Sequence, residues 1–259
     1  MNKTIDLLKS HRSIRRFLNK KIEEQKVRAI IEAAQSASTS SFLQTYTIIR
    51  VNKKSTLKEI SKIRDIELLS QRQPESAQTE NQDYIVSCGL FLIFCADLYR
   101  LKFISDSKNY NIKIGNIESL IIATVDAAIA AQNAMIAAES LGLGGVYIGA
   151  IRNNPQKICE LLHIPQYVFP VFGMSLGYPD QKVEKKPRLP VNVIFKNEKY
   201  DIAGDIEQIE AYDLVVKKYY STRVDNKRSA TWSEQIPKKM SKEWRPHLKK
   251  FLLSKGFNF

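Results

Sequence analysis

Residues 116–150, NIESLIIATVDAAIAAQNAMIAAESLGLGGVYIGA, decide the fold class of this 259-residue chain. The segment 117–141 is apolar almost all round, which is typical of a helix buried in a core or against a second subunit. Asn116 is suited to cap the start of this helix, and Gly142 to end it. Residues 145–148 then predict a short interior strand, so a long helix leads directly into a sheet.

Helices and strands alternate on both sides of this segment. Apolar or β-branched runs predict strands, and apolar residues that recur every three or four positions predict helices. The predicted strands are 45–51, 90–96, 168–176 and 191–195, and the predicted helices are 4–10, 23–36, 55–63, 155–162 and most of 208–259. Polar loops are predicted at 71–82 and 222–229. The chain is therefore predicted to be α/β (α+β), a single domain of residues 1–259 with a basic helical carboxy-terminal extension, 208–259, within it.

The net charge of +13 is unusual for a chain whose composition, 44% hydrophobic and 26% charged, is otherwise ordinary. Residues 214–259 contain twelve Lys or Arg and three acidic residues. Basic surfaces attract polyanions, so nucleic acid is one interpretation. No helix-turn-helix, zinc or RNA-binding motif accompanies the charge, and the sequence therefore predicts no specific nucleic-acid partner.

The cysteines and the amino terminus indicate where the protein works. The three cysteines lack Cys-x-x-Cys spacing, which suits free thiols in a reducing cytoplasm. No signal peptide is visible, and acidic residues interrupt the most apolar segment before it reaches about 18 uncharged residues. The sequence therefore predicts a cytoplasmic protein that does not span or bind a membrane.

Several common catalytic arrangements are excluded. The glycines at 142, 144 and 145 are not a dinucleotide fingerprint, because Tyr147 stands at the third glycine position and the helix precedes the strand. These glycines instead predict a helix stop and a tight turn. The three histidines lack metal-ligand spacing, and no nucleophile triad is found. A chain without such side chains is typical of an enzyme whose cofactor carries the reaction.

Residues 11–17, His-Arg-Ser-Ile-Arg-Arg-Phe, are the strongest candidate binding motif. Planar guanidinium groups give directed, charge-assisted hydrogen bonds to phosphate or another compact anion. A solvated basic turn is the alternative. The segment 186–190, Lys-Pro-Arg-Leu-Pro, carries two further cations, which by themselves indicate only surface charge beside a proline.

Six blocks in this order resemble the FMN-dependent nitroreductase family, in particular its NADPH-dependent branch of oxygen-insensitive nitroreductases and flavin oxidoreductases. The blocks are HRSIR at 11–15, SSFLQ at 40–44, AAESLGLGGVYIG at 137–149, FG-x-x-LG-x-P at 172–179, KPRLP at 186–190 and TW at 231–232. The resemblance implies a mixed sheet flanked by helices and an intertwined homodimer with FMN at its interface. The long apolar helix would then lie in that interface.

The resemblance also implies the site. The implied FMN-binding residues are His11, Arg12, Ser13, Arg15, Thr39, Ser41, Gln82, Tyr84, Tyr147, Ile148, Gly149, Ala150, Lys186 and Arg188. The first four would hold the phosphate and ribityl chain with Arg188, and Lys186 would approach the ring. Substrates would meet Phe42, Arg223, Arg228 and Arg245, the arginines serving NADPH. Ser41 and Phe42 would come from the partner subunit, and neither a catalytic side chain nor a metal is implied.

The implied reaction is ping-pong, with a hydride passing from NADPH through flavin N5 to small nitroaromatics or quinones. One alternative is an NADPH-dependent flavin reductase, for which free FMN is the acceptor. A remote alternative is a non-catalytic flavin- or polyanion-binding protein, which would consume no NADPH and bind nucleic acid in a salt-sensitive manner.

Overall fold

A computed structural model describes residues 2–63, 82–224 and 227–259. The predicted loop 71–82 lies outside these residues except for Gln82. Contacts divide the chain into two compact units, Met1–Val183 with His247–Phe259, and Glu184–Pro246. The single-domain assignment stays a prediction.

The first unit contains a sheet with helices packed on it. Its strands are β1 (Tyr46–Val51), β2 (Leu90–Asp97), β3 (Gly144–Ile148) and β4 (Val168–Gly177). Its helices are α1 (Lys3–Ser10), α2 (Glu24–Gln35), α3 (Lys54–Ser61), α4 (Asp83–Ser87), α5 (Tyr99–Ser107), α6 (Ile117–Ser140) and α7 (Pro155–Leu162), with α11 (His247–Ser254) from the end of the chain. Short 3₁₀ turns cover Ser40–Phe42 and Gly149–Asn153. The α/β alternation is confirmed.

The sheet has the order β1-β2-β4-β3, and its strand pairs are antiparallel. Every residue of β2 is buried, and from Leu90 to Cys95 its side chains alternate between two core clusters. Phe91 and Ile93 belong to one cluster, whereas Leu92 and Phe94 belong to the other. The prediction that this strand is covered on both faces is therefore confirmed.

Helix α6 has two different faces. The side chain of Asn116 caps it by accepting a hydrogen bond from the backbone N–H of Ser119 at 2.9 Å, and Gly142 follows its end with φ of +78°. Its alanine face is buried in the core. A second face exposes an apolar stripe that is 40–58% accessible, formed by Ile117, Ile121, Val125 and Ile129. The described residues of this chain cover these four side chains only in part, so their predicted burial against a second subunit stays a prediction.

The same helix is long and apolar enough, by length and composition only, to cross a membrane. Its eight buried residues, which include Asp126, pack against the rest of the first unit. This packing is what the core helix of a globular protein shows.

The second unit contains α8 (Val191–Ile194), α9 (Asp205–Thr222) and α10 (Trp232–Met240) around a small core of Tyr212, Val216 and Tyr220. The predicted strand at 191–195 is wrong, since the chain turns into α8 directly after Pro190. Val191 is 73% exposed, and in the described part of the chain no strand pairs with this segment. β-Branched residues favour a strand only where a pleated surface receives them.

Candidate functional site

The arginine-rich segment runs along the edge of the sheet. Ser13 forms a parallel bridge with Gly145, and the backbone N–H of Ile14 donates to the carbonyl of Gly145 at 2.9 Å. A Cβ on Gly144 would lie 2.6 Å from the Ile14 side chain. Gly144 and Gly145 are thus strand residues that allow close packing. The strand predicted from residue 145 is confirmed, and the predicted tight turn is wrong for both glycines. Gly142 is the helix stop that the sequence predicted.

The guanidinium groups of Arg12 and Arg15 face solvent on this fixed backbone. Arg12 donates to the carbonyl of Ser10 at 3.2 Å, and the backbone N–H groups of Arg15 and Arg16 both donate to the side-chain oxygen of Gln181 at 2.6 Å. Within the described residues, neither Arg12 nor Arg15 forms an ion pair with a carboxylate. Two guanidinium groups that form no ion pair among the described residues, held at the edge of the sheet, are suited to bind a phosphate group.

His11 is oriented by an acidic residue at the end of α6. Its Nδ1 lies 2.6 Å from the carboxylate of Glu139, whose side chain is 12% exposed. The donor at this contact is Nδ1–H, so the opposite ring nitrogen, Nε2, is directed away from Glu139. Burial and then the charge of Glu139 raise the pKa of Tyr147. One carboxylate therefore acts on both His11 and Tyr147, two residues of the predicted flavin site.

The second predicted segment of the site leaves the same sheet edge. Tyr147 makes an edge contact with Phe172 at 5.4 Å and donates its hydroxyl to Gln132 at 3.1 Å. Ile148 is buried, and Gly149 and Ala150 begin the 3₁₀ turn. The structure thus brings this segment together with the arginine segment, since both lie along β3.

The loop with Thr39, Ser41 and Phe42 is held by a buried carboxylate. Asp126 of α6 is 1% exposed and accepts hydrogen bonds from the backbone N–H groups of Ser40 and Thr45 at 3.0 and 3.1 Å. It also accepts the hydroxyl of Thr45 at 2.7 Å.

Between these two anchors the backbone adopts left-handed conformations. Ser41, Phe42 and Gln44 have φ of 47°, 59° and 53°. Such conformations are costly for residues other than glycine, so they need external support. Phe42 is 83% exposed at the tip of this loop.

Gln82 and Tyr84 lie at the start of α4. Gln82 precedes the helix and donates its side-chain amide to the carbonyl of Ile63 at 3.4 Å. Tyr84 is half-buried and packs against the cluster that contains Ile85 and Phe91. The residues just before Gln82 are outside the described part of the chain, so its predicted role stays a prediction.

The second unit gathers cations around one tyrosine. Arg228 and Arg223 lie over the ring of Tyr220 with guanidinium carbons 4.1 and 4.7 Å from its centroid, and the Lys186 ammonium lies at 5.8 Å. Arg188 is nearby in sequence and donates to the carbonyl of Lys186 at 3.1 Å.

Arg245 lies 5.7 Å from the ring of Trp244, and among the described residues it is not one of the cations over the ring of Tyr220. The sequence assigned Lys186 to the flavin ring and the two arginines to NADPH, and the structure brings these three cations together.

Sequence reasoning missed five supporting residues, which are Asp126, Glu139, Gln181, Tyr220 and Gln235. The last of these accepts a hydrogen bond from the guanidinium group of Arg228 at 2.6 Å. Asp126 had a detectable signal, since it is an acid in the middle of an apolar helix. The others act through contacts between segments distant in sequence or across a helix–loop junction. In the described ranges no group of three His, Cys, Asp or Glu residues is arranged to hold a metal.

Two family models match the chain, one on each side of the boundary near residue 184. The model of the nitroreductase family matches residues 8–178, and that of the nitroreductase family C-terminal domain matches residues 186–259. The chain is 37% identical to FMN reductase (NADPH) of Bacillus subtilis (strain 168), covering 100% of this chain and 99% of the relative.

It is 38% identical to the oxygen-insensitive NADPH nitroreductase of Salmonella typhimurium, covering 99% of each. The solved structure of Bacillus megaterium NfrA1 superposes with a TM-score of 0.90 at 35% identity, covering all of both chains.

Proposed function

This chain belongs to the nitroreductase family, and from that membership we propose that it passes electrons from NADPH to nitroaromatics or quinones. The protein is an oxidoreductase, with FMN as its cofactor and NADPH as its reductant. The observation that carries this conclusion is the full-length match to an NADPH-dependent FMN reductase and to an NADPH nitroreductase. Nitroaromatic or quinone acceptors are the part that goes beyond those matches.

The residues on the edge of β3 would hold the flavin phosphate. Arg12 and Arg15 offer two cationic forks, Ser13 a hydroxyl, and His11 an imidazole whose orientation Glu139 fixes. Bound FMN supplies the two-electron chemistry at N5. The protein's part is to bind and orient, which agrees with the lack of a nucleophile triad in the sequence.

Three further segments would complete the flavin site. The backbone from Tyr147 to Ala150 would meet the ring edge, and Thr39 and Ser41 would approach the ribityl chain. Phe42 offers an exposed aromatic surface against which a flat acceptor can stack. Lys186 and Arg188 would add positive charge, which favours the anionic form of a reduced flavin.

Arg223 and Arg228 would bind NADPH, with Arg245 assisting. Two guanidinium groups around one ring present several donors to a phosphate dianion. NADPH would then be the anionic partner of the basic carboxy-terminal region, so nucleic-acid binding is not required to explain the net charge of +13.

The protein would work as a homodimer in the cytoplasm. The exposed stripe on α6 is a contiguous apolar surface, and surfaces of this kind are typical of subunit contacts. The three cysteines are free, as expected in a reducing compartment.

The test is an anaerobic titration of the FMN-loaded protein with NADPH and, separately, with NADH. We expect rapid loss of flavin absorbance with NADPH and recovery on adding nitrofurazone or menadione. Turnover with free FMN faster than with either compound would favour the flavin-reductase alternative. Loss of absorbance with neither nucleotide would contradict the proposed function.

A further inference from the structure

Tyr220 is a buried residue that no sequence motif singled out, and it lies at the centre of the cation cluster in the second unit. Its side chain is 4% exposed, on the last turn of α9. We propose that Tyr220 is a positioning residue that holds Arg223 and Arg228 as one site for the 2′-phosphate of NADPH. This inference rests on the proposed function and adds a determinant of nucleotide preference.

Arg228 is held from several directions. Its backbone N–H donates to the carbonyl of Tyr220 at 3.0 Å, and its guanidinium group lies over the same residue's ring. The guanidinium also donates to the side-chain oxygen of Gln235 at 2.6 Å. Gln235 in turn donates to the carbonyl of Thr231 at 2.6 Å. These contacts fix a long side chain that would otherwise sample many rotamers.

The chemistry of the ring explains why a tyrosine is suited to this position. Like charges repel, so gathering two arginines and a lysine needs a compensating partner. A carboxylate would neutralise them but would also repel an incoming phosphate. An aromatic face attracts cations through its quadrupole without adding a negative charge that would repel an anion.

The hydroxyl of Tyr220 points to the same conclusion. Burial opposes its ionisation, yet the neighbouring Arg228 and Lys186 lower the pKa of Tyr220. Both the ring and the hydroxyl therefore face positive charge. NADPH differs from NADH only in its 2′-phosphate, so loss of this arrangement should affect NADPH alone.

The experiment compares Tyr220→Leu with Tyr220→Phe in steady-state kinetics, using NADPH and NADH with menadione. We expect Tyr220→Leu to raise KM for NADPH by about five- to tenfold, with kcat and the KM for NADH changed by less than about twofold. Tyr220→Phe keeps the ring and should retain most of the preference for NADPH over NADH. A binding titration with adenosine 2′-phosphate, with adenosine 5′-phosphate as reference, needs no redox step. We expect the affinity for adenosine 2′-phosphate to fall in Tyr220→Leu and to be largely kept in Tyr220→Phe.

Val216→Ala is the matched control. Val216 is 3% exposed, lies on the same helix and belongs to the same small core. Shortening this side chain should lower the stability of the protein while leaving the ratio of the KM for NADPH to the KM for NADH unchanged. Tyr220→Met replaces Tyr220→Leu if the latter does not fold.

The outcomes separate the two proposals. A ratio of the KM for NADPH to the KM for NADH that is unchanged in Tyr220→Leu, or changed equally in Val216→Ala, would overturn the role of Tyr220 alone. A wild-type protein that oxidises neither nucleotide would contradict the proposed function, whereas Tyr220-dependent binding of adenosine 2′-phosphate would still support the phosphate site.

Discussion

Replacing Asp126 with alanine tests whether one buried carboxylate shapes the loop of the flavin site. Thr45 is 1% exposed, and both its backbone N–H and its hydroxyl donate to Asp126. In the alanine variant the N–H of Thr45 is buried without an acceptor, which costs about 1–3 kcal/mol. The lost hydroxyl bond adds about 1 kcal/mol, and the exposed Ser40 recovers a hydrogen bond from water.

We therefore expect Asp126→Ala to reduce the free energy of unfolding by about 2–4 kcal/mol. Asp126→Asn keeps one acceptor but turns an amide group toward a donor, so its loss should be about half as large. Without its two anchors the loop can leave the left-handed conformations of Ser41 and Phe42. If about one molecule in ten keeps the binding shape, FMN affinity falls about tenfold.

Urea unfolding gives the free energy, and fluorescence titration of the flavin-free protein gives the FMN affinity. Glu118→Ala is the control, since Glu118 is an exposed acid on the first turn of the same helix. Its cost should stay below about 1 kcal/mol. An Asp126→Ala protein with unchanged stability would refute the hydrogen-bond argument. Lower stability with unchanged FMN affinity would show that the loop is not part of the flavin site.

Three other predictions concern the phosphate site, the exposed stripe and the thiols. Arg15→Ala should weaken FMN binding about 10- to 100-fold because it removes a charge-assisted hydrogen bond. The flavin retained on purification measures this effect, and replacing the exposed Lys21 with alanine should leave it unchanged. Full retention of flavin in Arg15→Ala would contradict the assignment of Arg15 to the phosphate. Ile121→Glu places a charge in the stripe on α6 and should convert a dimer to monomer in sedimentation velocity. Burial raises the pKa of Cys88 to about 11 and also that of Cys95. The folded state then favours the neutral thiols. Their contribution to stability is complete below the pKa of a thiol in the unfolded chain, about 8.5, and is lost as pH rises toward 11. The loss amounts to about 1.4 kcal/mol for each thiol and each pH unit. Urea unfolding from pH 8 to 11 measures this loss, and flat stability over that range would contradict it.

Local pattern sufficed for much of the fold. The helix α6 has the length, cap and stop that its sequence predicts, because Asn116 and Gly142 act on their own neighbours. The alternation of β2 between two core clusters follows from an unbroken apolar run. The strand predicted at 191–195 is wrong because its β-branched residues favour a strand only locally. Without a neighbouring strand to pair with, this segment does not join a sheet.

The site divides in the same way. The sequence by itself determined which segments carry charge, hydroxyls and glycines, and the family that their order resembles. It did not determine that Asp126 supports the loop at Ser41, that Glu139 orients His11, or that Tyr220 gathers Arg223 and Arg228. The first two contacts join residues more than 80 positions apart, and the third depends on how the chain turns back after α9. Only the packing of the tertiary structure brings these groups together, because side-chain type is a local property and proximity is not.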